Sequence, residues 1–397
     1  MLLLFLFHFE SLNIGPVKVS HLWKGTLLLF LIFKFISTKR KIFFIYKPLF
    51  FLAFIQFLNV EIINNPFNAV FLFTLFLIIP LSGLYLLTFS YHELQKSLIF
   101  IASFFILAFI PYELGILKSI KSGYNLESYG VEISGLIGPF QTVHSASMTL
   151  GASFVVIFYF LFDKRYNRNY LLILLVLCFY FLLKTYVRTG MVMAVIGIIP
   201  IVIYFGKKES RTQIRLIFMG GLFTLMLSSW VFSNEVLLNR ISGKTLRVSE
   251  TESFNTMGSG RGGLWKHSMD IYVEANYFEK LLGIGQGESL NRMKNKTGNR
   301  VFPHNGFLQT ILINGLFGFI AFLIYLRNIY RLRKRLYEEH FVLIKSLIYA
   351  FIVMGLFQAI DLLYVHIFLM FAASLFTKKD YLIKIKNSRP FIKQSID

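Results

Sequence analysis

Apolar residues run along this chain in long stretches broken by short polar clusters, unlike the one-sided stripes of a helix covering a soluble core. A helix rises about 1.5 Å per residue, so ~20 apolar residues cross a hydrocarbon layer of ~30 Å. The pattern predicts helices over residues 1–14, 22–38, 43–59, 67–89, 94–115, 146–163, 168–187, 189–206, 213–233, 306–327, 341–359 and 361–377. The first is short for a span and carries Glu10. The short alternating segments of a membrane β-barrel are missing. The expected fold class is all-α, a polytopic transmembrane helix bundle of about 12 helices with one long loop.

Charge adds orientation. Lys39, Arg40, Lys41 and Lys47 form one basic connection, and Lys164, Arg165 and Arg168 a second. Lys207, Lys208, Arg211 and Arg215 form a third, followed by the run Arg327 to Arg335 and a tail that begins at Lys378. These alternate with connections almost free of positive charge, such as Asn59 to Pro66. Basic loops stay inside, so an even helix count puts both termini in the cytoplasm. The organisation expected is N-terminal helices over 1–232, a long outer loop over 233–304, C-terminal helices over 305–377 and a basic tail over 378–397. Long loops translocate whatever their charge. Within this one, Leu264 to Leu282 reads as a helix lying near the interface, with Trp265, Tyr272 and Tyr277 among polar residues.

Composition changes the picture only by exclusion. Hydrophobic residues make up 56% of the chain and charged ones 15%, which rules out an ordinary soluble domain. The net charge of +21 lies in loop clusters, so it reads as membrane orientation and not as a nucleic-acid surface. The single cysteine, Cys178, excludes a disulfide framework. Met1 to Phe9 has no basic start and no small-residue cleavage site, and reads as a retained helix.

A site on the outer face has no cytoplasmic nucleotide to use, so candidate chemistry is sought in outer loops and helix ends. Arg188, in Val187-Arg188-Thr189-Gly190, sits where one helix leaves the membrane and the next re-enters. It is either a fork for phosphate or an interfacial anchor. Ser259-Gly260-Arg261 with Trp265 lies among Gly258, Gly262 and Gly263, which suit close approach to a ligand or a flexible linker. His304-Asn305 is either a general base with its neighbour or a helix-capping pair. His144 and His267 carry weaker versions of the same argument. Gly283-Ile284-Gly285-Gln286-Gly287 follows no strand and lacks the third glycine, which rejects nucleotide binding. No spacing of His, Cys, Asp or Glu suggests a metal site. Helix interiors hold few ionisable groups, Asp361 and His366 being the main exceptions, which argues against an ion-coupled transporter.

In order, Val187 to Gly190, Ser259 to Arg261 with Trp265, Leu282 to Gly285, and His304-Asn305-Gly306-Phe307-Leu308 running into Asn314-Gly315 resemble the O-antigen ligase/polymerase superfamily of bacterial envelope glycosyltransferases. The resemblance covers roughly residues 130–325. Departures are Pro303 before His304 and the small pair Gly262-Gly263 after Arg261. It implies a GT-C-like bundle in the bacterial inner membrane. The bundle would transfer a glycan from an undecaprenyl diphosphate carrier to an acceptor hydroxyl on the periplasmic face, with neither metal nor cofactor. Carried onto this chain, it makes His304 the base and Arg188 and Arg261 both diphosphate ligands and catalytic groups, with Trp265 and Asn305 touching substrate. Implied partners are the lipid-linked oligosaccharide, membrane lipid and a chain-length regulator protein, with no nucleic acid. The function expected is polymerisation of surface-polysaccharide repeat units, O-antigen or capsule. Ligation to lipid A core is one alternative, and a lipid-linked glycan flippase is an alternative of another class.

Overall fold

The computed structural model describes residues 13–14, 17–37, 44–59, 61–64, 66–119, 135–140, 142–208, 253–335, 338–358 and 364–376. Apart from a two-residue antiparallel ladder, β1 (Asn13–Ile14) with β2 (Val17–Lys18), the described regular structure is helical. The ladder replaces the end of the helix expected over 1–14. The remainder of that helix, and the one expected over 213–233, lie outside the described residues.

The helices follow in order: α1 (Val19–Ser37), α2 (Lys47–Leu58), α3 (Glu61–Asn64), α4 (Pro66–Leu86), α5 (Tyr91–Leu107) and α6 (Ile110–Glu113). Then come α7 (Val143–Phe160), α8 (Arg168–Lys184), α9 (Arg188–Lys208), α10 (Ser253–Glu274), α11 (Tyr277–Leu282) and α12 (Gln286–Thr297). The last are α13 (Gly306–Tyr330), a 3₁₀ turn (Arg331–Arg335), α14 (Glu338–Phe357) and α15 (Tyr364–Phe376). Five stretches among the described residues are long and apolar enough to cross a membrane: Ala69–Leu86, Tyr91–Glu113, Val143–Phe160, Arg188–Lys207 and Gly306–Arg333. The starts are chemically marked. Ser90 and Glu93 close a capping box on α5, Thr142 caps α7 and Asn167 caps α8.

α7 is the centre of the bundle. Every residue from Val143 to Phe160 is buried except His144, so the helix is covered on all faces. α5, α8, α9, α14 and α15 pack around it. Small residues make the closest of these approaches possible. A Cβ on Gly190 of α9 would fall 2.1 Å from Ser147 Oγ, and one on Gly151 would fall 2.7 Å from the Gly190 carbonyl. The start of α9 is therefore fixed against the start of α7.

Most of the described part of the expected outer loop is helical. Gly258 to Gly263, which suggested a linker, lie within α10. The helix expected over Leu264 to Leu282 breaks at Ala275-Asn276, where Asn276 and Glu279 form a capping box that starts α11. These helices are clasped to α13 at a kink. Gly315 stands inside α13 at φ 64, ψ −172. The carbonyls of Leu312 and Ile313 just before it accept the backbone N–H groups of Ile284 (2.8 Å) and Gly285 (3.2 Å). Buried Gln56 of α2 donates to the Asn314 side chain on the other side of the same turn. The Gly283-Ile284-Gly285 motif is thus a structural clasp. A Cβ on Gly283, at φ 94, would fall 2.1 Å from the Ile313 carbonyl.

Gly283→Ala should therefore lower the thermal unfolding midpoint well beyond the ~1–3 kcal/mol of backbone strain. Gly298→Ala is the control, since Gly298 has φ 76 and nothing within 4 Å of its Cβ position. Equal losses in detergent-solubilised protein would mean that the clasp is slack.

Candidate active site

One end of the bundle gathers helix termini from distant parts of the sequence. The turn between α8 and α9 holds Tyr186 at φ 55, and Ser147 Oγ of α7 donates to the Val187 carbonyl at 3.2 Å. Leu136 N donates to the Lys184 carbonyl at 2.9 Å, bracing the turn from the other side. Arg188 is then the first residue of α9 and exposed, while Thr189 beside it is buried. At the N-terminus of α7 stands His144, the central helix's one partly exposed residue.

α10 and α13 supply the residues from the C-terminal half. Asn305 is the N-cap of α13, its Oδ1 accepting from Phe307 N (3.1 Å) and Leu308 N (3.0 Å). The capping role expected of the His304-Asn305 pair belongs to Asn305 alone. His304 stands just outside the helix at φ 49, left-handed backbone that a side chain occupies at a cost. Its ring lies 6.1 Å from that of His144, centroid to centroid. Arg261 of α10 donates from Nη1 to the Phe357 carbonyl at the end of α14, at 2.8 Å.

Gln358, the residue after α14, links the termini. Its Nε2 is 2.9 Å from His144 Nδ1 and 3.4 Å from Thr189 Oγ1, and its side chain also hydrogen-bonds His304. Burial, with the neighbouring Arg261 charge, holds the His304 imidazole below its ordinary pKa, and the Gln358 hydrogen bond offsets this in part. The shift favours the neutral imidazole, the form that accepts a proton.

His144, His304 and Thr189 at the start of α9 thus share one amide, and Arg261 is tied to the carbonyl of the residue before it. Trp265 lies one helical turn beyond Arg261, and its indole nitrogen is buried without a hydrogen-bond partner among the described residues. His267 lies 3.9 Å from Asp270 of its own helix. Arg292 of α12 is committed elsewhere. Its fork bonds Glu279 at 2.6 and 3.2 Å and Glu288 at 3.0 Å. Burial works against the Glu279 charge, but Arg292 and the Asn276 backbone together hold that carboxyl below its ordinary pKa.

Two members of the cluster were not evident as a pair from the sequence. His144 figured only as a weak candidate, and Gln358 not at all, because a lone glutamine at the end of an apolar run carries no signal. Asp361 lies outside the described residues, as does the side chain of His366.

A cationic, partly buried cluster at one end of an apolar helix bundle defines an integral membrane protein with a site suited to anionic ligands. Residues 173–323 match the family model described as O-antigen ligase, which supports the resemblance of that stretch to the O-antigen ligase/polymerase superfamily. A comparison with curated proteins finds no match. The matched stretch contains Arg188, Arg261, Trp265, Gly283 to Gly285, His304, Asn305 and Gly315, while His144 and Gln358 flank it on either side.

Proposed function

We propose that the protein polymerises undecaprenyl-diphosphate-linked repeat units of a surface polysaccharide on the periplasmic face of the inner membrane. The observation that carries this reading is that two family motifs within the matched stretch bring a partly buried imidazole, His304, within the electrostatic reach of a guanidinium, Arg261. In the transfer, His304 takes the proton of the acceptor hydroxyl as its oxygen attacks the anomeric carbon. The bond from that carbon to the diphosphate oxygen breaks, and the leaving diphosphate keeps the electron pair. Arg188 and Arg261 meet the charge that develops there. Trp265 offers an aromatic face beside Arg261, and Asn305 contributes its amide next to the base.

Donor binding and base strength reinforce each other in this arrangement. The anionic diphosphate offsets the Arg261 charge that depresses His304, so the base strengthens when the donor is in place. Transfer to lipid A core is the second reading, favoured by the description of the matching family. A deletion strain separates the two. Loss of polymerase leaves single repeat units attached to the core, whereas loss of ligase leaves long chains on the carrier lipid. Normal chain length and normal attachment together would overturn both readings.

A further inference from the structure

We propose that Gln358 is a positioning residue that fixes the tautomers of His304 and His144, making His304 the base and withholding His144 from that role. The proposal rests on His304 being the base of the transfer described above, and it brings in Gln358 and His144, which lie outside the stretch matched by the family.

The geometry starts from burial. Gln358 is 2% exposed, so its amide must find its partners within the protein. An amide has two N–H donors on nitrogen and one acceptor oxygen. The nitrogen faces His144 Nδ1 at 2.9 Å and the Thr189 hydroxyl at 3.4 Å. A nitrogen that can only donate makes His144 Nδ1 the acceptor, which puts the proton of that ring on Nε2. That leaves the amide oxygen as the partner for the hydrogen bond to His304, in which an oxygen can only accept the N–H of a ring nitrogen. The other nitrogen of His304 then carries the lone pair that a base requires. One neutral side chain thus gives two neighbouring imidazoles opposite assignments.

The amide itself is held by its element. Gln358 N donates to the Met354 carbonyl at 2.8 Å, extending α14 by one residue, and Arg261 ties the preceding Phe357 carbonyl to α10. Among the described residues, the titratable and charged groups around His304 are Arg261 from α10 and His144 from α7. Arg188 heads α9 beside Thr189, and α14 presents only the neutral amide.

Gln358→Glu and Gln358→Met test the idea in the full-length protein. A carboxylate in place of the amide should raise the pKa of His304 by ~1–3 units. Two readouts report it: the acid limb of the transfer rate, and the pH midpoint for diethylpyrocarbonate modification of His304, followed by peptide mass spectrometry. The Met variant, of similar volume but without the amide, should lose roughly 10-fold or more in kcat, short of the ~10²–10⁴-fold cost of losing a base. Its KM for the diphosphate-lipid donor should stay near that of the parent. An unchanged His304 midpoint in Gln358→Glu overturns the proposal, whether or not the Met variant folds. A shifted midpoint together with full turnover by His304→Ala would instead bring down the base assignment, with the hold of Gln358 on the ring upheld.

Discussion

His304→Ala is expected to slow glycan transfer by roughly 10²–10⁴-fold, the range for loss of a general base. Binding of the donor lipid should survive, because on the proposed function the arginines hold the diphosphate and the imidazole meets only the acceptor hydroxyl. The backbone supplies sharper variants. His304 occupies left-handed space at φ 49, which glycine takes without strain and asparagine tolerates well. His304→Gly and His304→Asn should therefore fold at least as well as the parent, with Asn305 still capping α13, yet remain as inactive as the alanine variant. The pH profile gives an independent reading. Burial and then Arg261 depress the His304 pKa, so kcat/KM should fall only on the acid side of the ordinary value of ~6.5. The limb in kcat should lie higher, because the bound diphosphate offsets Arg261. Assays with a synthetic diphosphate-lipid donor at equal protein decide the matter. Near-parental turnover by the Asn or Gly variant would remove His304 from the mechanism.

The helices that cross the bundle were legible because apolar runs of the right length have few other uses in a folded chain. The runs at 146–163, 168–187, 189–206 and 306–327 match α7, α8, α9 and α13 closely, with ends set by Thr142, Asn167 and Asn305 caps. The glycine-rich stretch at Gly258 to Gly263 misled, since glycine permits a linker but does not require one, and packing against α12 and α13 keeps α10 helical. The clasp at Gly315 was unreadable for a different reason. It depends on a pairing between residues about thirty apart, and only the positive φ of Gly283, Gly285 and Gly315 makes it visible. Arg188, Arg261 and His304 were found as separate motif residues. The contacts around His304 and Arg261 run through the end of α14, at Phe357 and Gln358, which carry no chemical signature in the sequence.

Arg261→Ala is expected to abolish measurable transfer while leaving the protein inserted and abundant, and it should do so for two separable reasons. On the proposed function the guanidinium is a bidentate ligand for the departing diphosphate, and removing it weakens donor binding and leaves the developing charge unmet. After burial it is also the second cause that depresses His304, so its loss should let the His304 pKa rise towards the ordinary value. Arg261→Lys divides these roles. A lysine retains the positive charge near the imidazole, so the His304 titration should stay close to parental. It cannot reproduce the planar fork, so KM for the donor should rise and turnover recover only poorly. The hydrogen bond from Arg261 to the Phe357 carbonyl adds a structural component, which a thermal unfolding midpoint measured beside each assay would expose. Donor KM and His304 titration midpoint, measured in both variants, are the deciding quantities. If Arg261→Lys transfers glycan at the parental rate, the bidentate role is gone and Arg261 acts on His304 by charge alone. If Arg261→Ala leaves the His304 midpoint where it was, the electrostatic coupling between these two residues is absent.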